Sequence, residues 1–315
     1  MDQKKLLSVL IPVFNEEQNI IPCYTAVVEA LKAVSDEFDF EIIFTDNHSK
    51  DKTFEVLQEL AKSDQRIKVA RFSKNFGFQK SILCAYRLAK GDIAVQLDVD
   101  LQDSPSLIPM MINYWKQGYQ VVYGVRKQRK ESWFMNTQRK IFYRLINYLS
   151  EDNLPLDAGD FRLVDRTVLN QLKTLNDASP YLRGTITSYG FNQIGFEYER
   201  NKRERGETNF TFKSLILLGL DGIMNHSVIP LRIATVVGLI TSLITTILIG
   251  VYVAGKFLYG YEWPRGFTTL TVLILLSISM NALFLGIIGE YIGRIFKQVK
   301  NNNPVIIERS IGLNA

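Results

Sequence analysis

In the stretch VQLDVDLQDSP, Asp98, Asp100 and Gln102 stand two residues apart at the end of an apolar run. In an extended segment alternate residues share a face, so three oxygen ligands can be presented to one ion. Hard oxygen donors suit Mg²⁺ or Mn²⁺, which keep several waters and borrow further ligands from substrate phosphates. Acidic turns are common, and the weight of this one comes from its place. Other polar turns also follow apolar runs: Pro12, Phe14, Asn15 and Glu16 after the first, Asp46 after the second, and the 73–75 turn after the third. A carboxylate or amide at these points can meet a base or ribose edge. Asn47 and Ser49 read as helix caps.

These turns need a scaffold. Short β-rich runs at 7–12, 41–46, 67–72 and 93–98 alternate with helical patterns at 18–35, 52–63 and 77–89. That alternation predicts βαβ units and a parallel sheet, whose ligands bind at the carboxyl ends of the strands. No GxGxxG follows the first strand, which argues against a Rossmann dehydrogenase. Cys23 and Cys84 have no metal or ladder spacing and read as reduced core residues, while His48 and His226 stand alone and read as turn and interface residues. The opening MDQKKLLSVLIPVFNEE superficially imitates a signal peptide. Its apolar part is too short, it meets Pro12, and no small-residue cleavage site follows, so the catalytic part is expected in the cytoplasm.

The chain has 315 residues, 47% of them hydrophobic, with 37 Lys and Arg against 32 Asp and Glu. Two uncharged apolar stretches, 233–255 and 267–289, are each long enough to cross a hydrocarbon core of about 30 Å. Lys202, Arg203, Arg205, Lys213 and Arg232 precede the first, and Arg294, Lys297 and Lys300 follow the second. By the positive-inside rule both ends face the cytoplasm, which makes the chain an integral protein of the inner or plasma membrane. The 212–228 segment has an apolar stripe suited to an interfacial helix. The expected domains are a catalytic 1–209, an interfacial 210–231, a two-helix 232–296 and a cytoplasmic tail 297–315. The pattern after Lys300 assigns no element. Removing the chain from about residue 233 onward is expected to leave donor binding but poor transfer to lipid.

The ordered segments SVLIPVFNEEQNI, FTDNHSKDKT, SKNFGFQKS, LDVDLQDSP, AGDFRLVDR and RGETNF resemble family 2 glycosyltransferases of the polyprenyl-phosphate type, the dolichol-phosphate mannose synthase and bactoprenol glucosyltransferase group. The resemblance spans nearly the whole chain. It implies an α/β fold of the GT-A, Rossmann-like kind, a UDP or GDP sugar donor, a divalent ion at Asp98, Asp100 and Gln102, and inversion at the anomeric carbon. Asn75 and Lys80, in SKNFGFQKS, fall on the donor side. Arg200, Arg203 and Arg205 resemble the family's loop over the donor diphosphate, with Gly206 as its flexible point. Asp160, in AGDFR, resembles the carboxylate near the acceptor and takes the base or orienting role, with Asp157 a second candidate. Where the family usually reads Asp-Asp-x-Ser, this chain has Asp46 followed by Asn47, a departure that bears on donor-base selectivity.

The implied partners are a nucleotide sugar, a polyprenyl phosphate and the lipid bilayer, with no nucleic acid; a homo-oligomer is compatible with the chain. For the acceptor phosphate, Arg126 and Arg139 are the candidates, because a guanidinium can engage phosphate with two hydrogen bonds. Lys127, Arg129 and Lys130 read as a solvated basic face. A phosphate monoester is already ionised near neutral pH, its second pKa being about 6, so positioning matters more than a strong base. Glucose is the first expectation for the sugar. Rival readings are a processive polysaccharide synthase, which this chain opposes by lacking a Gln-x-x-Arg-Trp motif and having only two spans, and a non-catalytic nucleotide-sugar sensor, which mutation of Asp100 would distinguish.

Overall fold

A computed structural model describes residues 4–127, 158–178, 180–201, 266–299 and 305–313, with 231, 234–241, 243–244, 247, 254 and 258 between them. The chain divides into two compact units: 1–147 with 152–215 and 302–315, and 148–151 with 216–301.

The first unit is built on strands β1 (Lys5–Val13), β2 (Phe38–Asp46), β3 (Ile67–Phe72) and β4 (Ile93–Gln96), joined by helices α1 (Ile20–Lys32), α2 (Thr53–Ser63) and α3 (Phe78–Leu88). After a 3₁₀ turn at Pro105–Leu107 come α4 (Ile108–Lys116), β5 (Val121–Arg126), β6 (Ala158–Asp165), α5 (Arg166–Thr174), α6 (Leu182–Ser188) and β7 (Gln193–Tyr198). The expected βαβ elements are present, and one pattern, 67–72, matches its strand end for end.

Because β1 is buried on both faces, its side chains alternate between two cores. Leu7, Val9, Ile11 and Val13 join α1, α2 and α4, whereas Leu10 meets Ile82 and Ala85 of α3 and Val168 of α5. Strands β4, β1, β2 and β3 are adjacent in that order and parallel. The chain therefore reverses its direction of travel across the sheet between β1 and β4. Such a switch point opens a crevice at the carboxyl ends of the strands, here at residues 14–16 and 97–98.

Beyond β4 the sheet becomes mixed. Strand β6 runs antiparallel to both β4 and β5, and β7 is parallel to β5. At the far edge a final strand, β8 (Ile307–Ile311), pairs antiparallel with β3. The tail that the sequence pattern left unassigned thus contributes a strand to the catalytic sheet. A truncation at about residue 233 removes that strand together with the apolar stretches, so it tests the sheet as well as the membrane segments.

In the second unit, helix α7 (Phe267–Val299) contains an apolar 18-residue stretch, Leu276–Gly293, long and apolar enough to cross a membrane by length and composition. Leu283, Leu285, Ile292, Ile295 and Phe296 are exposed along it. Residues 234–241 are also helical, and Thr241 Oγ1 lies 4.0 Å from Met280 Sδ. Much of the 233–255 stretch, the 212–228 segment and His226 lie outside the described residues.

Candidate active site

The β4–β6 register builds the centre of the site. Gln96 lies opposite Arg162 in an antiparallel ladder, and two residues beyond that pair stand Asp98 and Asp160, near enough for the Asp160 carboxylate to raise the pKa of Asp98. Beyond Gln96 the chain leaves the sheet. Residues 99–100 form a turn, Leu101 adopts φ 56°, and the Gln102 backbone N–H folds back onto Asp100 Oδ1 at 3.1 Å. The extended 98–100–102 array expected from the spacing is replaced by this turn, because an aspartate can satisfy the N–H two residues on and so draw the chain out of the strand. Asp98 precedes the turn and Asp100 lies in it, while the Gln102 carbonyl accepts a hydrogen bond from Asn201 N–H at 3.0 Å.

Burial, then the carboxylates of Asp160, Asp103 and Asp100, push Asp98 up to about 7, partly offset by Arg200. Beside it Gln96 donates to Asp98 Oδ1 at 3.2 Å and has its own Oε1 buried without a partner among the described residues. Among the described residues no three His, Cys, Asp or Glu side chains form a ready metal cage. Two carboxylates with further oxygens drawn from phosphate is a set that a Mg²⁺-type ion accepts, and the surplus of negative charge around Asp98 is what a cation offsets.

Arginines balance the rest of the acidic group. Asp160, only 8% exposed, receives both Nε and Nη2 of Arg183, at 3.0 and 2.8 Å. Burial raises its pKa, but Arg183 and then Arg162 outweigh that and hold it below the usual carboxylate value. A carboxylate so held stays ionised and orients its surroundings; it is a poor proton acceptor. Arg162 is itself buried and donates to Gly159 O at 3.1 Å. Asp103, 1% exposed, accepts from Arg200 Nε at 3.1 Å and from the Tyr198 hydroxyl, and its second oxygen lies 3.8 Å from Arg126 Nη2. Sequence reasoning missed Asp103 and Arg183. Asp103 lies inside the LQDSP segment but out of step with the two-residue spacing, and Arg183 is a single arginine on a short helix with no motif around it.

The strand-end turns form a second, connected group. Asn15, at φ 54°, accepts from Lys50 N–H through its side chain and donates its own N–H to Ser49 Oγ. Glu16 N–H is taken by Thr53 Oγ1. Pro12 is buried at the end of β1, and Phe14 beside it is half-buried. Asp46, fully buried, accepts from Ser49 N–H at 2.9 Å and from Arg71 Nη1 at 3.0 Å, so its carboxylate anchors the turn from beneath. Asn47 and Ser49 do not cap α2: Asp51 accepts the Thr53 N–H instead. Asn47 reaches the third turn, donating to Asn75 Oδ1 at 2.9 Å and accepting from Phe76 N–H at 2.8 Å. Since Asn75 Oδ1 also accepts from Gly77 N–H, residue 47 must donate, and only the amide can do so. Lys80 stands on the first turn of α3, half-exposed. His48 is a turn residue at φ 64°.

Asp157, Arg139, Arg203, Arg205, Arg129 and Lys130 lie outside the described residues, while Lys127 is exposed. Cys23 and Cys84 are free and buried, and burial pushes the Cys84 thiol up to about 12.

Residues 8–173 match the family model described as Glycosyl transferase family 2. The chain belongs to that family. As a family 2 glycosyltransferase it has an α/β domain of the GT-A kind, here with a mixed sheet. It is 38% identical to a Bacillus subtilis (strain 168) protein described as uncharacterized glycosyltransferase YkcC, over 97% of this chain and 94% of that one. It is 32% identical to the SfII prophage-derived bactoprenol glucosyl transferase of Shigella flexneri, over 96% and 98%. A solved mannosyltransferase, PcManGT from Pyrobaculum calidifontis in complex with GDP-Man and Mn²⁺, shares 14% identity at a TM-score of 0.44, covering 96% of this chain and 89% of that one, a likeness too slight to bear on activity.

Proposed function

We propose that this family 2 glycosyltransferase moves a hexose, glucose first, from UDP-glucose to a polyprenyl phosphate such as undecaprenyl phosphate, with inversion, at the cytoplasmic face of the membrane. The observation that carries the reading is the pairing of Asp98 and Asp100 at the sheet's switch point with arginines on the neighbouring strand ends. Negative groups there suit a cation, and positive groups suit two anionic substrates. The bactoprenol glucosyl transferase relatives, matched almost end to end, support the lipid acceptor.

In this reading Asp98 and Asp100 hold Mg²⁺ or Mn²⁺, with the Gln102 side chain a third ligand once donor is bound. The ion, when present, supplies charge neutralisation for the diphosphate leaving group. Arg200, with Arg203 and Arg205, faces that diphosphate; Arg126 and Arg139 hold the acceptor phosphate. The acceptor oxygen is already ionised and no proton need be removed. Asp160, tied to Arg183, orients the acceptor site and keeps its charge throughout. Pro12, Phe14, Asn15, Glu16, Asn75 and Lys80 line the nucleotide side, and Asp46 fixes the turn behind them. Two spans at 233–255 and 267–289 would keep the domain beside its lipid substrate.

The test is transfer from a panel of labelled UDP and GDP sugars to undecaprenyl phosphate in membranes, using wild type and Asp100→Ala, each with and without EDTA. One donor should give a lipid product that the mutation and the chelator both abolish. A product that survives both would refute the site, and no product from any donor would refute the acceptor.

A further inference from the structure

Arg126 and Arg200 arrive at the site from different places. Arg126 closes β5, and Arg200 follows β7, its parallel neighbour, in which Tyr198 pairs with Arg126. Both converge on Asp103. Arg200 makes a charge-assisted hydrogen bond to Oδ1 through Nε. Arg126 stands 3.8 Å from Oδ2, within ion-pair range but beyond a hydrogen bond. Its own Nε is buried and has no partner among the described residues. A Cβ placed on Gly159 would lie 2.9 Å from Arg126 Nη2, so a side chain at residue 159 would press on the guanidinium where it now lies. The Tyr198 hydroxyl, bonded to Asp103, fixes the carboxylate from the core side.

A buried carboxylate is costly unless paired. Here it is paired with two guanidinium groups that reach it from the ends of two neighbouring strands. We infer that Asp103 is a positioning residue for both substrates, holding Arg200 toward the donor diphosphate and Arg126 toward the acceptor phosphate as one two-armed anion cradle. This rests on the proposed transfer between two anionic substrates. Asp103 itself touches neither substrate. It sets the direction of the two arms and lowers the cost of keeping two like charges close in the absence of ligand.

The inference predicts an effect on both substrates from one residue. Asp103→Asn, in the full chain in detergent, should raise the KM for undecaprenyl phosphate and weaken UDP binding in the presence of Mg²⁺, each by about tenfold, the scale of one charge-assisted hydrogen bond. Arg200→Lys should weaken UDP alone and Arg126→Lys should raise the acceptor KM alone. Adding Asp103→Asn to Arg200→Lys should cost UDP binding less than it costs in wild type, because the two act through one contact. Tyr198→Phe keeps the ring in the core and removes only the hydroxyl; it should move both constants in the same direction by a smaller factor, and it reads the same relation if Asp103→Asn fails to fold.

A fall in kcat with both constants unchanged, or a change in one constant only, overturns the inference, as does full additivity with Arg200→Lys. The functional reading fails separately. If wild type gives no lipid product, the acceptor assignment falls, and calorimetric UDP binding still decides whether Asp103 positions Arg200.

Discussion

Replacing Arg183 with alanine isolates one carboxylate in the acidic group of Asp98, Asp100, Asp103 and Asp160. Asp160 would lose two hydrogen bonds of 3.0 and 2.8 Å and remain charged within the field of Asp98. Removing one member of a buried pair costs about 3 to 5 kcal/mol. Arg183 is 30% exposed at its side chain, so water moderates the loss and the expected cost is about 3 kcal/mol. For a domain of this size that corresponds to a fall of about 6 to 12 °C in the thermal midpoint. The assay is thermal unfolding of the purified full chain, with wild type, Arg183→Ala, Asp160→Asn and the double variant compared at neutral pH. Because Asp160→Asn removes the stranded charge, the double variant should be more stable than Arg183→Ala alone. Equal midpoints for wild type and Arg183→Ala, or strictly additive losses in the double variant, would refute the argument that the pair acts as one buried unit.

Gly159→Ala should displace Arg126 and raise the acceptor KM by about tenfold, about 1.4 kcal/mol, while UDP binding measured by calorimetry stays unchanged. Asn47→Asp should set an acceptor against Asn75 Oδ1, weakening donor binding and lowering the thermal midpoint; a variant as stable and as tight as wild type would remove the donor requirement argued for residue 47. Asp64 supplies a pH-dependent term. Its bond from Arg66 holds the carboxyl at about 2, below an unfolded value of about 4. Its stabilisation is therefore complete above that unfolded value and is lost as pH falls toward 2. The midpoint difference between wild type and Asp64→Asn should be constant from neutral pH to about 5 and narrow below about 4; a difference unchanged across that range would contradict the assignment.

The parallel half of the sheet was legible because each of its strands is followed by its own helix, and both periods are written locally. Strands at 7–12, 41–46 and 93–98 were placed within a few residues of β1, β2 and β4. The mixed half was not legible. Strand β6 slots between β4 and β5, and nothing in AGDFRLVD states which partners it takes. The site divides along the same line. Asp98 and Asp100 declare themselves by spacing and place, and Asp160 entered through a family resemblance. The bond between Asp160 and Arg183, and the grouping of Arg126, Arg200 and Tyr198 around Asp103, depend on strands brought together from distant parts of the chain. The one geometric expectation that failed, an extended 98–100–102 array, failed because an Asp side chain competes with the ladder for backbone N–H groups.

Strand β8 sets an order of events. Its partner β3 is among the early elements to be synthesised, yet the backbone groups of Val69 to Phe72 on that edge have no strand beside them until Ile307–Ile311 has been made. Ala70 and Phe72, buried in the finished protein with Val305 and Leu313 packed against their cluster, wait equally long. The catalytic sheet is thus sealed on this edge only after both apolar stretches have been synthesised. A chain lacking Ile307–Ile311 would carry its acidic and basic site residues on a sheet with an open, sticky edge.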